Sequence, residues 1–271
     1  MPATALAFAL AAAVFHALWN LLLARAPDVE AATVVALLTA VLVFAPIAVV
    51  TWHVEAAVWP WLLGSGLLEL AYFALLATAY RRAPLSVVYP IARGGAPVLV
   101  LVVSVVVLGH ATSSRQAAGV ALVVLGILLV RGLGHPDRVG LAFGVAIACC
   151  IAGYTLIDKQ GIRHAGTIPY LELSMVLPTV AYAGIVTRVR SAAAVRAAFG
   201  PAPVVAGIAT FVAYACVLAA LSRASAASVA AVRETSVVIA AALAAVVLKE
   251  RVTRTRLLGA LVVVAGIALL G

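Results

Sequence analysis

The chain has 271 residues, of which 66% are apolar and 10% charged, and its mean hydropathy is +1.22. A soluble domain of this length cannot bury so much apolar surface, so lipid must be the solvent for much of the chain. The net charge of +9 comes from 18 basic residues, scattered between apolar stretches as headgroup anchors are. They form no basic face or tail, so we expect a polytopic membrane protein that binds no nucleic acid.

Apolar runs of membrane-spanning length follow one another along the chain. Hydrocarbon about 30 Å thick requires roughly twenty helical residues, and lipid cannot satisfy the backbone groups of an irregular segment. The fold is therefore predicted to be all-α, with ten transmembrane helices. They are predicted at approximately 4–23, 31–51, 57–80, 85–108, 114–130, 139–157, 168–187, 202–221, 225–248 and 255–271.

The sequence repeats itself. Shifting it by about 140 residues aligns Arg93 with Arg233, Gly119 with Gly259 and Gly126 with Gly266. This indicates an internal duplication, with one repeat at 1–135 and the other at 136–271. Because five spans is an odd number, the second repeat must enter the membrane from the opposite side. Inverted repeats are typical of secondary transporters, which bind substrate near mid-membrane and work by alternating access.

Two motifs carry a resemblance to a known family. The stretch Leu248-Lys249-Glu250-Arg251-Val252, with Gly259 and Gly266 after it, is similar to the closing signature of an EamA repeat. The stretch Phe15-His16-Ala17-Leu18-Trp19-Asn20 is similar to the opening of many EamA proteins. The first repeat departs from the pattern at His110, which stands where the second has Glu250.

Over its whole length the chain thus resembles the EamA family of the drug/metabolite transporter superfamily. The resemblance implies a transporter in a bacterial cell (inner) membrane, which exports or exchanges amino acids or other small metabolites. It implies no enzymatic activity.

Two arginines lie deep in corresponding spans. A charge at the bilayer centre costs about 2.5–3.5 kcal/mol on insertion scales, so each needs a partner, a wet cavity or a function. Arg93 and Arg233 are predicted to hold an anionic group of a substrate between the repeats, since guanidinium binds carboxylate bidentately. The alternative is that each arginine only neutralises a glutamate. Glu234 follows Arg233, and about 100° separates consecutive side chains on a helix, so only one of the two is expected to point straight into the site.

The fourth span contains the run Tyr89-Pro90-Ile91-Ala92-Arg93-Gly94-Gly95-Ala96-Pro97. Each proline removes a backbone hydrogen bond, and irregular backbone at membrane depth usually lines a cavity. We expect a broken helix here, with Tyr89 as a further candidate pathway residue. The alternative is a proline kink that serves packing alone.

Glu69 is central in the third span, and Tyr72 lies one turn later on the same face. Both are predicted to line the substrate pathway; the alternative is that Glu69 pairs with Arg93 and only joins two helices. Further candidates share the property of being polar or aromatic within a span: His16, Trp19, Asn20, Tyr154 and Glu172. His16 could instead merely hydrogen-bond a neighbouring helix, and Glu172 could extend to the headgroups.

The interior charges suggest a coupling ion. Glu69, Glu172 and Glu234 face only Arg93 and Arg233, which leaves one negative charge uncompensated. We expect one glutamate, Glu69, to bind a proton during part of the cycle, because low dielectric penalises an unpaired charge.

Three other functions are alternatives. A small-multidrug-type exporter would use Glu69 to bind lipophilic cations. An intramembrane enzyme is disfavoured, because the sequence holds no HExxH, no GxSxG and no carboxylate or histidine cluster at metal spacing. Accordingly we expect no cofactor and no metal. A structural or sensory membrane protein is the last alternative.

Overall fold

The computed structural model describes residues 1–83, 85–131, 138–239, 242 and 253–270, without the side chains at 77, 80, 81, 85–87, 89, 90, 131 and 256. The motif at 248–252 and the side chain of Tyr89 therefore lie outside the described residues. The helices are α1 (Ala3–Ala24), α2 (Val29–Val50), α3 (Trp59–Arg82), α4 (Leu85–Val102), α5 (Ser114–Arg131), α6 (Arg138–Gly161), α7 (Thr167–Arg190), α8 (Ala192–Ala197), α9 (Pro201–Leu221), α10 (Ala226–Arg233) and α11 (Arg254–Leu270).

Six helices in the described part of the chain are long and apolar enough to cross a membrane: α1, α2, α3, α6, α7 and α9. Shorter apolar helices occupy Ile91–Val107, Ser114–Val130 and Leu257–Leu270. The first of these ends in a π-helical turn, Val103–Val107, which continues α4. The predicted ninth span begins as α10, but most of its second half lies outside the described residues. The all-α fold is confirmed, whereas the count of ten spans stays a prediction.

Large apolar side chains cover the outside of the helices. Leu42, Val106 and Val180 are 70%, 76% and 64% exposed, and they lie on three different helical segments. Apolar surface this extensive is not stable in water but is the expected exterior in lipid. The protein is therefore a membrane protein with multiple apolar helices.

The helices pack in symmetric pairs. α1 and α6 are the first helices of the two halves, and α3 and α9 are the third long helices. α1 packs along α9, and α6 packs in the equivalent way along α3. α2 packs against α7, and α5 against α11, so that each of these helices meets its own counterpart.

Glycines set the contact between α5 and α11. A Cβ atom on Gly126 would lie 2.7 Å from the carbonyl oxygen of Gly259, and one on Gly119 would lie 3.0 Å from that of Gly266. As the residue number rises along α5, the number of the facing residue on α11 falls, so the two helices are antiparallel. Such close backbone approach is possible only where small residues line both helices.

The expected break in the fourth span is not observed, because α4 continues through Arg93 and Pro97 to Val102. Its glycines serve packing instead. A Cβ on Gly95 would lie 3.2 Å from the side chain of Ala148 on α6, and Gly94 faces Val124 on α5. Neighbouring helices thus pack against α4 on two sides, and the helix continues through Pro97.

Two connections meet at one end of the bundle. The amide of Glu55, before α3, donates to the carbonyl of His164 at 2.9 Å, and the amide of Gly166 donates to the carbonyl of His53 at 2.8 Å. Val54 and Ala165 form the bridge between these segments. The α2–α3 and α6–α7 connections therefore lie side by side, and one belongs to each half of the chain.

The glycine contact predicts a position-specific effect on stability. Gly126→Ala should destabilise the protein by ~1–3 kcal/mol, because the added methyl group overlaps the backbone of α11. Gly184→Ala is the matched control, since a Cβ at Gly184 meets no atom within 4 Å. Thermal unfolding of both purified variants in detergent measures the difference, and equal midpoints would contradict the packing described.

Candidate functional site

A cavity of about 150 Å³ lies within the bundle, between helices of both halves. Side chains of α1, α2, α3, α4, α6, α7, α9 and α10 contribute to its wall. Seven of the side chains predicted from the sequence line it: His16, Trp19, Glu69, Tyr72, Arg93, Tyr154 and Arg233. The structure thus brings together residues that are as much as 217 positions apart (233 − 16).

The two arginines share one carboxylate. Arg93 Nη1 and Arg233 Nη2 lie 3.3 Å and 3.4 Å from the same oxygen, Glu234 Oε1. Glu234 is fully buried, and the two arginines are 7% and 4% exposed. Two positive charges and one negative charge leave the cluster with a net charge of +1. In the described residues, Arg233 Nε is a buried donor with no hydrogen-bond partner, and Glu234 Oε2 is a buried acceptor with none.

The helix changes geometry after Arg233. α10 ends at Arg233, and the amides of Glu234 and Thr235 bond to the carbonyls three residues earlier, at 3.2 Å and 3.0 Å. The Thr235 hydroxyl also donates to the carbonyl of Val232. Such three-residue bonds are those of a 3₁₀ turn, which is tighter than an α-helix. The described part of the ninth span is therefore irregular after Arg233. Of the two described residues, Arg233 lines the cavity and Glu234 does not, which agrees with the expectation that only one of them points straight into the site.

His16 lies between two donors. Arg93 Nη2 is 2.8 Å from His16 Nε2, and Trp19 Nε1 is 3.3 Å from His16 Nδ1. A neutral imidazole has only one nitrogen free to accept, so it cannot satisfy both donors. This wall of the cavity therefore holds more donors than acceptors. Asn20 does not line the cavity; its side chain donates to the carbonyl of His16 at 2.7 Å.

Glu69 lines the cavity without pairing with an arginine. Among the described residues, no hydrogen bond or ion pair involves its carboxylate, and the described ion pair of Arg93 goes to Glu234. The alternative in which Glu69 and Arg93 join two helices is therefore not observed. Near Glu69, Tyr72 and Tyr154 form an edge-on aromatic pair, with ring centroids 6.4 Å apart.

Asp158 is a buried polar residue that the sequence interpretation did not single out. It is fully buried near the end of α6. Its Oδ1 accepts from the hydroxyls of Ser65 at 2.6 Å and Tyr170 at 2.8 Å, and its Oδ2 accepts from the hydroxyl of Tyr214. Tyr214 also lines the cavity, so the two polar sites adjoin each other.

Glu172 lies outside the cavity wall. It is 7% exposed, and its Oε2 is buried without a hydrogen-bond partner in the described residues. Its side chain therefore does not extend to the surface. In the same part of the chain, no group of three or more histidine, cysteine, aspartate or glutamate side chains could hold a metal ion.

Comparison with known proteins identifies the family. The model of the EamA-like transporter family matches the sequence twice, at residues 3–132 and 138–271. The chain belongs to the EamA-like transporter family. The resemblance seen in the sequence is thereby confirmed, including its two repeats. The protein is a member of a family of membrane transporters, and its repeat boundaries at 135 and 136 stay a prediction.

One solved structure, described only as the crystal structure of a protein, is similar over nearly the full length. It covers 99% of this chain and 96% of its own, with a TM-score of 0.79 and 15% sequence identity. At that identity the likeness shows that the two chains share a fold. A comparison with curated proteins finds no match.

The shared carboxylate predicts a strong effect of Glu234→Gln. In the described residues Glu234 pairs with both arginines, and breaking a buried ion pair by removing one partner costs about 3–5 kcal/mol. We expect a large loss of thermal stability in detergent, or no recovery of monodisperse protein. The control is Glu30→Gln, because Glu30 is half exposed and pairs with Arg190 at 2.8 Å. Its loss should cost at most about 1 kcal/mol, and equal effects would contradict the assignment.

Proposed function

We propose that this EamA protein carries a small metabolite with a carboxylate group, an amino acid fitting best, across a bacterial cell membrane. Transport proceeds by alternating access, as export or exchange, between two inverted repeats of five spans. The observation that carries the proposal is that Arg93 and Arg233 line one cavity and share a single glutamate.

The antiparallel contact of α5 and α11 supports inversion of the repeats. These helices occupy the last position of each half, and equivalent glycines meet across the contact. A two-fold axis that exchanges two antiparallel helices while keeping them in contact is perpendicular to both. If the helices cross the membrane, the axis lies in the membrane plane, which is the symmetry of inverted repeats.

The charges favour an anionic group at the arginines. The cluster of Arg93, Arg233 and Glu234 has a net charge of +1, and Arg233 Nε is a buried donor that needs an acceptor. A substrate carboxylate supplies both the charge and the acceptor, with the guanidinium binding it through two nitrogens. The excess of hydrogen-bond donors around His16 also favours an anionic group in the cavity.

A carboxylate at another place in the cavity favours a positively charged amino group on the same substrate. Glu69 offers a carboxylate in the same cavity, and aromatic rings such as those of Tyr72 and Tyr154 lie near it. Ammonium groups bind well to a carboxylate beside aromatic faces. A cavity of about 150 Å³ accommodates a molecule of amino-acid size, whereas sites for drug-sized ligands run to about 300–1,000 Å³.

The same features give the second candidate, a proton-coupled exporter of lipophilic cations. Glu69 and the aromatic wall favour it, and the two arginines oppose it because they repel a cation. A panel of amino acids, organic acids and lipophilic cations, tested for competition against each other in proteoliposomes, separates the two functions.

Removal of either arginine should strongly reduce transport. Arg93→Gln and Arg233→Gln each delete charge-assisted hydrogen bonds to the substrate, which should reduce uptake or exchange by roughly ten- to hundred-fold. The control is Arg196→Gln, since Arg196 is exposed on α8. Folding is checked by size-exclusion chromatography. Full activity in Arg93→Gln would make this arginine a packing feature only.

Glu69 is proposed to couple transport to protons. Glu69→Gln cannot gain or lose a proton, so it should no longer concentrate substrate when a proton gradient is imposed. It should still exchange substrate at equilibrium, at a higher substrate concentration, because the Gln side-chain oxygen can accept a hydrogen bond from an ammonium group but carries no charge. Glu55→Gln is the control, because Glu55 is exposed and lies 3.0 Å from His164 in the α6–α7 connection. Concentrative uptake by the Glu69→Gln protein would show that another group carries the proton.

A further inference from the structure

A second polar cluster lies beside the cavity, centred on the carboxylate of Asp158. The carboxylate belongs to α6, and its three donors belong to three other helices: Ser65 to α3, Tyr170 to α7 and Tyr214 to α9. Asp158, Ser65 and Tyr170 are all fully buried. One side chain thus ties four helices together, and α3 is the only one of the four that comes from the first half of the chain.

The end of α6 is shaped to admit one of these donors. A Cβ atom on Gly161 would lie 2.6 Å from the hydroxyl oxygen of Tyr170. No larger residue at this position leaves room for the tyrosine ring, so the glycine permits the hydrogen bond from Tyr170 to Asp158. The cluster is therefore supported by the packing around it as well as by its own hydrogen bonds.

The partners of Asp158 differ from those of Glu234. In the described residues, Asp158 has no ion pair, and all three of its donors are hydroxyls. Separating a buried carboxylate from arginine leaves two opposite charges unpaired, whereas hydroxyls are neutral and bond readily to water. Hydroxyl contacts can therefore form and break at a lower cost than the arginine cluster can.

The cluster lies toward one end of the bundle. Next to Asp158, the Lys159 ammonium donates to the carbonyls of Leu221 and Ala224 at the end of α9. Beyond it are the paired α2–α3 and α6–α7 connections. The cavity extends the other way along α1, as far as Leu23 in its last turn. Buried polar contacts thus separate the cavity from the surface at the α6–α7 connection.

We propose that Asp158 and the hydroxyls of Ser65, Tyr170 and Tyr214 close the substrate pathway at the end that carries the α6–α7 connection. They separate when the transporter opens there. Tyr214 links this closure to the substrate site, because it lines the cavity and donates to Asp158. The proposal rests on transport by alternating access, but it does not depend on which substrate is carried.

Cysteine accessibility tests the closure without any substrate. The reporter is Ala213→Cys, at a position in the cavity wall, in a protein whose native Cys149, Cys150 and Cys216 are replaced by alanine. A membrane-impermeant maleimide is added to one face of the membrane at a time, with intact cells and with inverted vesicles. With the closure intact, labelling should be slow from the face that carries the α6–α7 connection.

Removing one hydroxyl should open that face. Ser65→Ala and Tyr170→Phe are the test variants, because neither residue lines the cavity. Loss of one buried hydrogen bond shifts an equilibrium by roughly five-fold. Labelling from the α6–α7 face should rise by about that factor in each variant. If Tyr170→Phe does not fold, Ser65→Ala still decides, since it removes only one oxygen atom.

Two controls remove buried hydroxyls that do not reach Asp158. The first control is Ser174→Ala. Ser174 lies one turn from Tyr170, and its hydroxyl donates to the carbonyl of Leu171 at 2.9 Å. The second control is Thr155→Val. Thr155 lies one turn from Asp158, and its hydroxyl donates to the carbonyl of Ile151 at 2.7 Å. Unchanged labelling in the folded test variants, or an equal rise in the controls, would overturn the proposal. If the arginine variants did not affect transport, the proposed substrate site would be wrong, but the proposed closure at Asp158 would still stand.

Discussion

Two guanidinium groups that share one carboxylate constrain the centre of this protein. In a low dielectric, neither arginine is stable without an anion nearby, and one glutamate cannot compensate two positive charges. α4 and α10 must therefore approach closely enough for Arg93 and Arg233 to reach Glu234. The residual positive charge of this cluster lies at the cavity wall, so the constraint that fixes the helices is also the feature on which the proposed preference for an anion rests.

Much of this arrangement could be predicted from the sequence. Long apolar runs specify helices because lipid leaves the backbone no other way to satisfy its hydrogen bonds. The recurrence of Arg93 as Arg233 predicted that the two would meet, because symmetric repeats bring equivalent positions to their common axis. Glu69 lines the cavity, as expected, whereas its pairing with Arg93 was the alternative that the sequence could not exclude.

The remaining features depend on tertiary packing. The sequence predicts that the sixth span ends at 157, before Asp158, yet α6 continues to Gly161 and three helices surround the carboxylate. Prolines and glycines predicted a break in α4, where neighbouring helices in fact support the chain. The irregular turn occurs after Arg233 instead, where no proline or glycine marks it. The threonine at 235, whose hydroxyl bonds to the preceding turn, is the signal that could have indicated it.

The contact between α5 and α11 is isologous, because each helix presents to the other the surface that it receives. An interface of this kind is self-complementary, so it does not require that its two sides belong to one polypeptide. A half-length chain with a single such helix would carry the surface needed to form a homodimer, provided that its copies inserted in both orientations. Joining two such copies in one chain would remove the need for dual insertion, whereas the glycines at which the two backbones meet would stay constrained.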